Sequence, residues 1–171
     1  MEYKRYMCST GGISKQIERH IIMRIYLDNC CYNRPYDRTH QLIVELEARA
    51  KLEIQISIQE GKFQLVSSEV LLYEIQKHPI EMTRNAILSF VYENASYHVG
   101  PARNSEIDRD ARIIMRQGIH YKDACHVAAA IYAKCDYFLT TDKRLLKYKS
   151  NQILMRNPID FIREMEEQKN D

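Results

Sequence analysis

The 171-residue sequence lacks the features that mark membrane and secreted proteins. It contains no apolar run approaching the ~20 residues that a membrane-spanning helix needs. Its N-terminus has no basic start followed by an apolar stretch and a small-residue cleavage site, so it does not resemble a secretory signal. These absences predict a cytoplasmic protein that makes no contact with a membrane.

Cysteine and glycine are both scarce. The five cysteines form no CxxC pair, and their odd number, with Cys30 next to Cys31, is a poor framework for disulfides, so we expect reduced thiols. None of the five glycines lies between Leu27 and Arg38. A flavodoxin-like or nucleotide-binding domain would be expected to carry a glycine-rich phosphate loop after its first strand, which makes that class of protein a weak alternative.

Charge of either sign is nearly balanced. The formal net charge of +2 is too small to indicate a nucleic-acid-binding protein by bulk electrostatics. It does not exclude one, because a local basic rim around an acidic site would suffice. The length favours a single domain with one sizeable core.

An alternation of strand and helix patterns is present after Met23. Apolar, β-favouring runs predict strands over 24–28, 63–67, 97–99, 137–140 and 152–155. Helical spacing predicts helices over about 39–59, 68–78, 82–92, 105–117 and 123–134 and from residue 158 onward, with a loop over 29–38. This order predicts a mostly parallel sheet covered by helices on both faces.

The two ends of the chain differ from this pattern. We expect residues 1–22 to form an N-terminal extension, residues 23–162 to form the domain, and residues 163–171 to form a charged C-terminal tail that frays.

Four acids lie where such a sheet binds ligands. Asp28 and Asp142 each follow a predicted strand, and ligands of parallel α/β sheets bind beyond the carboxyl ends of the strands. Glu74 and Asp123 lie on predicted helices that could face the same edge. Each acid also has an ordinary explanation: an amide cap at Asp28 and Asp142, solvent exposure at Glu74, and the helix dipole at Asp123.

Four converging carboxylates would repel one another and raise each other's pKa unless a cation neutralised them. Hard oxygen ligands select Mg²⁺ or Mn²⁺ over zinc. Two such ions about 3.5–4 Å apart can activate a water and stabilise the leaving oxygen of a phosphodiester. We therefore hypothesise in-line hydrolysis that leaves a 5′-phosphate and a 3′-hydroxyl.

Four segments, in this order, resemble the motifs of PIN-domain nucleases: Ile25–Pro35, Ser68–Ile75, Lys122–Ala130 and Thr140–Leu145. The likeness covers about residues 23–162. It implies an α/β fold, a three-layer α/β/α sandwich with a central mostly parallel sheet, and Mg²⁺- or Mn²⁺-dependent cleavage of RNA. It further suggests VapC-like toxins, which are paired with an antitoxin protein encoded beside them, and relatives are often homodimers.

By position, the resemblance places the metal ligands and catalytic residues at Asp28, Glu74, Asp123 and Asp142. Thr141 or Thr140 would take the family's polar position near the metal-bound waters. Many relatives have a small hydroxyl or amide residue two places after the first acid. This chain has Cys30 there, and the adjacent Asn29 is the candidate substitute.

Several side chains next to these motifs are candidates for substrate binding. Phosphate contacts could come from Arg34, Arg38, Lys122, Lys143 and Arg144, although each also fits an ordinary solvated cation. Tyr32 and Tyr36 could stack on unpaired bases. We interpret His126 and His120 as hydrogen-bonded structural histidines in preference to general bases.

Two further functions are compatible with the same motifs. One is a PIN-like module that binds RNA or a protein partner without cutting, although the presence of all four acids argues against it. The other is a structure-specific DNA nuclease, because the same metal chemistry cuts both polymers. Cleavage assays on matched RNA and DNA substrates distinguish these functions.

Overall fold

The computed structural model describes residues 22–33 and 41–170, in which five short strands form one sheet. The strands are β1 (Arg24–Leu27), β2 (Gln64–Ser68), β3 (Ala95–Val99), β4 (Tyr137–Leu139) and β5 (Leu154–Arg156). Their order across the sheet is β3-β2-β1-β4-β5, and every neighbouring pair is parallel. All five carboxyl ends therefore lie at one edge of the sheet, with β1 at the centre.

Helices connect and cover these strands. They are α1 (Asn29–Asn33), α2 (Leu42–Gln59), α3 (Glu69–Gln76), α4 (Glu81–Asn94), α5 (Asn104–Met115), α6 (Tyr121–Tyr132) and α7 (Pro158–Asn170). Two short 3₁₀ turns, Pro101–Arg103 and Leu145–Lys147, were not predicted.

The aromatic side chains of β4 show that helices cover both faces of the sheet. The ring of Tyr137 meets Phe161 of α7, with centroids 5.0 Å apart. The next ring, Phe138, stacks on Tyr26 at 5.2 Å, and Tyr26 meets His126 of α6 at 5.9 Å. Because successive strand residues point to opposite faces, α6 and α7 lie on opposite sides. With α5 packed on α6 and α2 on α7, the predicted α/β/α sandwich with a parallel sheet is confirmed.

Helix α6 has the small side chains that a close approach to the sheet requires. Seven consecutive residues, 124–130, are buried, and four of them are alanines. Glycines follow two of the predicted helices. Gly61 and Gly118 follow α2 and α5 with φ of +74° and +86°, a backbone region that glycine adopts without strain.

The loop predicted over 29–38 is wrong in its first half. Asn29–Asn33 form the short helix α1, whose residues Cys31 and Tyr32 are fully buried against the core. This burial also contradicts the prediction that Tyr32 stacks on a base. The predicted positions Arg34, Tyr36 and Arg38 lie outside the described residues, as does the extension except for Ile22.

The segment expected to fray at the C-terminus is helical as far as Asn170. Met165 is 6% exposed, and Glu164 accepts hydrogen bonds from Arg156 Nε at 2.7 Å and from the Tyr137 hydroxyl at 3.1 Å. The charged composition of this segment did not indicate that one side of the helix is buried.

Cys30, Cys31, Cys125 and Cys135 form no disulfide among the described residues, and Cys8 lies outside them. None of the helices in residues 22–33 and 41–170 is both long and apolar enough to cross a membrane.

Candidate metal centre

Asp28 lies immediately after β1, at the centre of the carboxyl edge, and is 7% exposed. Its Oδ1 accepts the backbone N–H of Asn29 at 2.7 Å. Its Oδ2 accepts the Thr140 hydroxyl at 2.7 Å and the Cys30 thiol at 3.0 Å. Burial raises the pKa of the Asp28 carboxyl well above its ordinary value, because the charged form loses its hydration.

Glu74 lies on α3, and its side chain is 11% exposed. Its Oε2 is 2.9 Å from His126 Nε2, and its Oε1 forms an ion pair with the ammonium group of Lys122. Burial alone would raise the pKa of Glu74, but the hydrogen bonds from His126 and Lys122 lower it to about 2. Glu74 is therefore ionised at neutral pH.

Asp28, Glu74 and His126 form the candidate metal cluster. Each offers one ligand atom, and these three atoms lie within 4.8 Å of one another. The structure thus brings together two of the four predicted acids, on β1 and α3, and adds a histidine from α6.

A series of buried hydrogen bonds leads from the sheet to the cluster. His126 Nδ1 is 2.8 Å from the Tyr26 hydroxyl, which is 2.6 Å from Ser68 Oγ. Ser68 also accepts the backbone N–H of Leu71 at 3.3 Å and so caps α3. Tyr26, His126 and Ser68 are each at most 1% exposed. Burial raises the pKa of Tyr26 well above its ordinary value, so its hydroxyl remains protonated.

Asp123 is half-buried in the first turn of α6 and is not part of the three-residue cluster. Its negative charge acts on the side chains of Lys122 and Arg144. Glu74 is the main cause of the raised pKa of Lys122, and Asp123 and Asp28 add to it. Asp142 is the main cause of the raised pKa of Arg144, and Asp123 adds to it.

Asp142 turns its carboxylate toward its own loop. Oδ1 accepts the backbone N–H of Arg144 at 2.7 Å, and Oδ2 accepts the guanidinium of Arg144 at 3.0 Å. The hydrogen bonds from Arg144 lower the pKa of Asp142. The ordinary explanation from the sequence, a capping role, thus describes this acid in the structure, and its role as a ligand remains a prediction.

Thr140 links two of the predicted acids. Its buried hydroxyl donates to Asp28 and accepts the backbone N–H of Asp142 at 3.0 Å. The backbone N–H of Thr141 donates to Cys30 Sγ at 3.3 Å. Cys30 therefore contacts both Asp28 and the β4 loop, in the position where a hydroxyl or amide was expected.

The remaining predicted residues are Asn29, Lys143 and His120. Asn29 contacts Asp28 through its backbone, and its buried side-chain oxygen has no hydrogen-bond partner in the described structure. Lys143 is exposed next to Asp142, and His120 is exposed at the start of α6.

Sequence reasoning missed the buried chain that begins at Tyr26 and Ser68. A signal for it exists in the sequence, because Tyr26 precedes Asp28 by two residues and strand residues two apart share a face. A tyrosine hydroxyl inside a central strand needs a buried partner. The interpretation of His126 as hydrogen-bonded agrees with the structure, but its bond to Glu74 was not foreseen.

The residues present fit a hard divalent cation. Asp28 is buried, and no lysine or arginine in the described ranges forms an ion pair with it. A buried carboxylate without such a partner is costly, and a divalent cation would remove that cost. His126 is less suited to ligation, because both of its ring nitrogens already have partners.

No protein-family model and no curated protein matches the chain. Among solved structures, it is similar to a chain of VapBC2 from Rickettsia felis in a complex bound to a DNA fragment from its promoter. The two chains are 14% identical with a TM-score of 0.48, over 79% of this chain and 98% of the other. At that distance the likeness transfers no activity, ligand or partner.

Proposed function

We propose that this chain is a divalent-metal-dependent nuclease that hydrolyses phosphodiester bonds of RNA. The observation that carries the proposal is the convergence of Asp28 and Glu74 at the carboxyl edge of a parallel sheet, within one cluster of 4.8 Å. This edge is where parallel α/β sheets place their ligands. The order of the PIN-like motifs in the sequence supports the same conclusion.

Asp28, Glu74, Asp123 and Asp142 would hold the metal, and oxygen donors favour Mg²⁺ or Mn²⁺. The ion supplies a Lewis acid that polarises a phosphoryl oxygen and lowers the pKa of water. Lys122 and Arg144 form ion pairs with Glu74 and Asp142, so a metal ion at this edge would compete with them for these carboxylates. Displaced from the acids, the two cationic side chains would be able to contact substrate phosphates.

The protein groups around Asp28 hold it in a fixed orientation. Asn29, Cys30 and Thr140 each direct a donor at its carboxylate, so neither oxygen is free to rotate away from the edge. Pre-organised ligands of this kind are what metal sites need for affinity and geometry.

The decisive experiment is cleavage of an RNA pool with Mg²⁺ or Mn²⁺ by the wild-type chain and by Asp28→Asn and Asp123→Asn variants. We expect both variants to lose metal-dependent cleavage while circular dichroism shows an unchanged fold. Asp160→Asn is the matched control, because Asp160 is an exposed acid on α7 outside the cluster. Full cleavage by both site variants would overturn the proposal.

The same assay with matched DNA substrates tests the alternative of a DNA nuclease. A wild-type chain that binds RNA in the presence of Mg²⁺ without cutting it would instead support the non-cleaving module.

We also propose an antitoxin partner and a homodimer, on the resemblance of the sequence to VapC-like toxins. A small adjacent gene for a DNA-binding protein, whose co-expression relieves growth inhibition by this chain, would support the toxin role. Expression without any effect on growth would favour an RNA-processing enzyme. Light scattering of the purified chain tests the dimer.

A further inference from the structure

Ser68, Tyr26 and His126 are three polar side chains that are buried in the interior and hydrogen-bonded to one another. Its three side chains come from β2, β1 and α6, and they meet in the space between α3, α6 and the sheet. The Tyr26 ring is held in place by its stack on Phe138. Buried polar groups remain only where they are fully hydrogen-bonded, so the direction of each bond can be worked out.

One direction gives every hydrogen an acceptor. Leu71 N–H donates to Ser68 Oγ, the Ser68 hydroxyl donates to Tyr26, and the Tyr26 hydroxyl donates to His126 Nδ1. His126 must then carry its hydrogen on Nε2, where it donates to Glu74 Oε2 at 2.9 Å. In the reverse direction the Ser68 hydroxyl hydrogen would have no acceptor among these groups.

This series of hydrogen bonds therefore ends on Oε2 of Glu74 and does not include Oε1. Among the residues that the structure describes, the partner of Oε1 is the ammonium of Lys122, whose side chain is 61% exposed. A mobile surface lysine can give way, whereas a histidine that is 1% exposed cannot. The arrangement fixes the carboxylate through Oε2 and leaves Oε1 paired with a side chain that can be displaced.

We propose that Ser68, Tyr26 and His126 are positioning residues that orient Glu74 as a metal ligand and thereby set the affinity of the cluster for a divalent cation. This inference rests on the proposed function in taking Glu74 as a ligand. It assigns His126 a role outside the ligand set, and it explains why a tyrosine occupies the middle of the central strand. Groups that hydrogen-bond to metal ligands typically contribute about 10- to 100-fold in metal affinity.

Tyr26→Phe is the most selective test, because it removes one hydroxyl that touches neither Glu74 nor Asp28. Its matched control is Tyr137→Phe on β4, which removes a hydroxyl that bonds to Glu164 at 3.1 Å on the other face of the sheet. Mn²⁺ affinity is measured by electron paramagnetic resonance. We expect Tyr26→Phe to weaken Mn²⁺ binding by about 10-fold, and Tyr137→Phe to leave it unchanged.

His126 allows a test of rescue. His126→Leu should lose about 10- to 100-fold in Mn²⁺ affinity, and His126→Gln should recover part of it, because its amide can still donate to Glu74. The ¹⁵N resonances of the wild-type ring, recorded without metal, should show hydrogen on Nε2 and an accepting Nδ1. Tyr26→Phe should shift the Nδ1 resonance.

These outcomes separate the two proposals. If the wild-type chain binds Mn²⁺ and Tyr26→Phe weakens it but no RNA is cut, the positioning inference holds and the nuclease does not. If Tyr26→Phe and Tyr137→Phe bind Mn²⁺ equally well, or if wild-type Nδ1 carries the hydrogen, the positioning inference is overturned. A wild-type chain that binds no Mn²⁺ overturns both.

Discussion

The pKa values of the two acids of the cluster are shifted in opposite directions. Burial raises the pKa of Asp28, whereas His126 and Lys122 overcome the burial of Glu74 and lower its pKa to about 2. Ionised Glu74 thus has an ion-pair partner in Lys122, whereas no lysine or arginine of the described residues forms an ion pair with Asp28. Asp28 is the side chain whose burial a divalent cation would relieve most.

We expect Asp28→Asn to raise the midpoint of thermal unfolding of the metal-free protein at pH 8, by about 2–4 °C for each 1 kcal/mol of stability gained. A raised pKa in the folded state means that the unfolded chain ionises first, so wild-type stability falls as the pH rises from the ordinary carboxyl value through the raised one. Calorimetry in a chelator from pH 3.5 to 8 measures this effect.

The difference between Asp28→Asn and the wild-type chain should disappear below about pH 4. Glu74→Gln is the opposing control. Because the pKa of Glu74 is lowered, its ionised form stabilises the fold above the ordinary carboxyl pKa, and this variant should be less stable than wild type at pH 8. An Asp28→Asn variant that is less stable at pH 8 than the wild-type chain would contradict the prediction.

Lys122 competes with a metal ion for Glu74. Its ammonium forms an ion pair with Oε1, and the charges of Asp123 and Asp28 also act on it. An ion pair with an exposed lysine is worth about 0.2–1 kcal/mol, so Lys122→Met should tighten Mn²⁺ binding by about 1.4- to 5-fold. Lys147→Met removes an exposed cation from the turn after Asp142 and should change the affinity less. Equal changes in the two variants would show an effect of net charge alone.

At the scale of elements, hydrophobic periodicity predicted most of the fold. The five strands and the long helices come from patterns of apolar residues that are several turns or residues long, and these patterns record the burial they produce. Helix α1 escaped because five residues are too few for a period to show. The helix at 121–132 starts two residues before the predicted Asp123, a difference typical of helix ends.

Ser68 is both the last residue of β2 and the cap of α3. We expect Ser68→Ala to lower the free energy of unfolding by at least about 0.5–2 kcal/mol, because the Leu71 N–H loses its acceptor and the Tyr26 hydroxyl loses a buried partner. Urea denaturation measures the change. Ser89→Ala on α4 is the control, since this serine is exposed and bonds only to Glu93 within its own helix. A loss at Ser89 as large as that at Ser68 would show that the cap has no special effect.

At the scale of the molecule, the sheet collects chemistry from distant parts of the chain. Asp28 follows β1, Glu74 lies on α3 and His126 on α6, and they share one edge because every strand pair is parallel. This convergence could be predicted, since strand ends of a parallel sheet coincide. The hydrogen-bond partners of each acid could not be predicted. Whether Asp142 pairs with Arg144, or Glu74 with His126, depends on side-chain orientations that hydrophobic periodicity does not indicate.

A cation that binds at this edge would hold β1 and α3 together, and α6 through His126, so its binding should stabilise the whole fold. Ligand at 100 times its dissociation constant adds about 2.7 kcal/mol to the free energy of unfolding. For a chain of this length that corresponds to a rise of roughly 5–11 °C in the unfolding midpoint. We expect Mn²⁺ to produce such a rise in the wild-type chain at pH 8 and much less in Asp28→Asn and Glu74→Gln. The rise should shrink as the pH is lowered, because the raised pKa of Asp28 lets protons compete with the metal. A shift of the same size in the wild-type chain and in both variants would place Mn²⁺ outside this cluster.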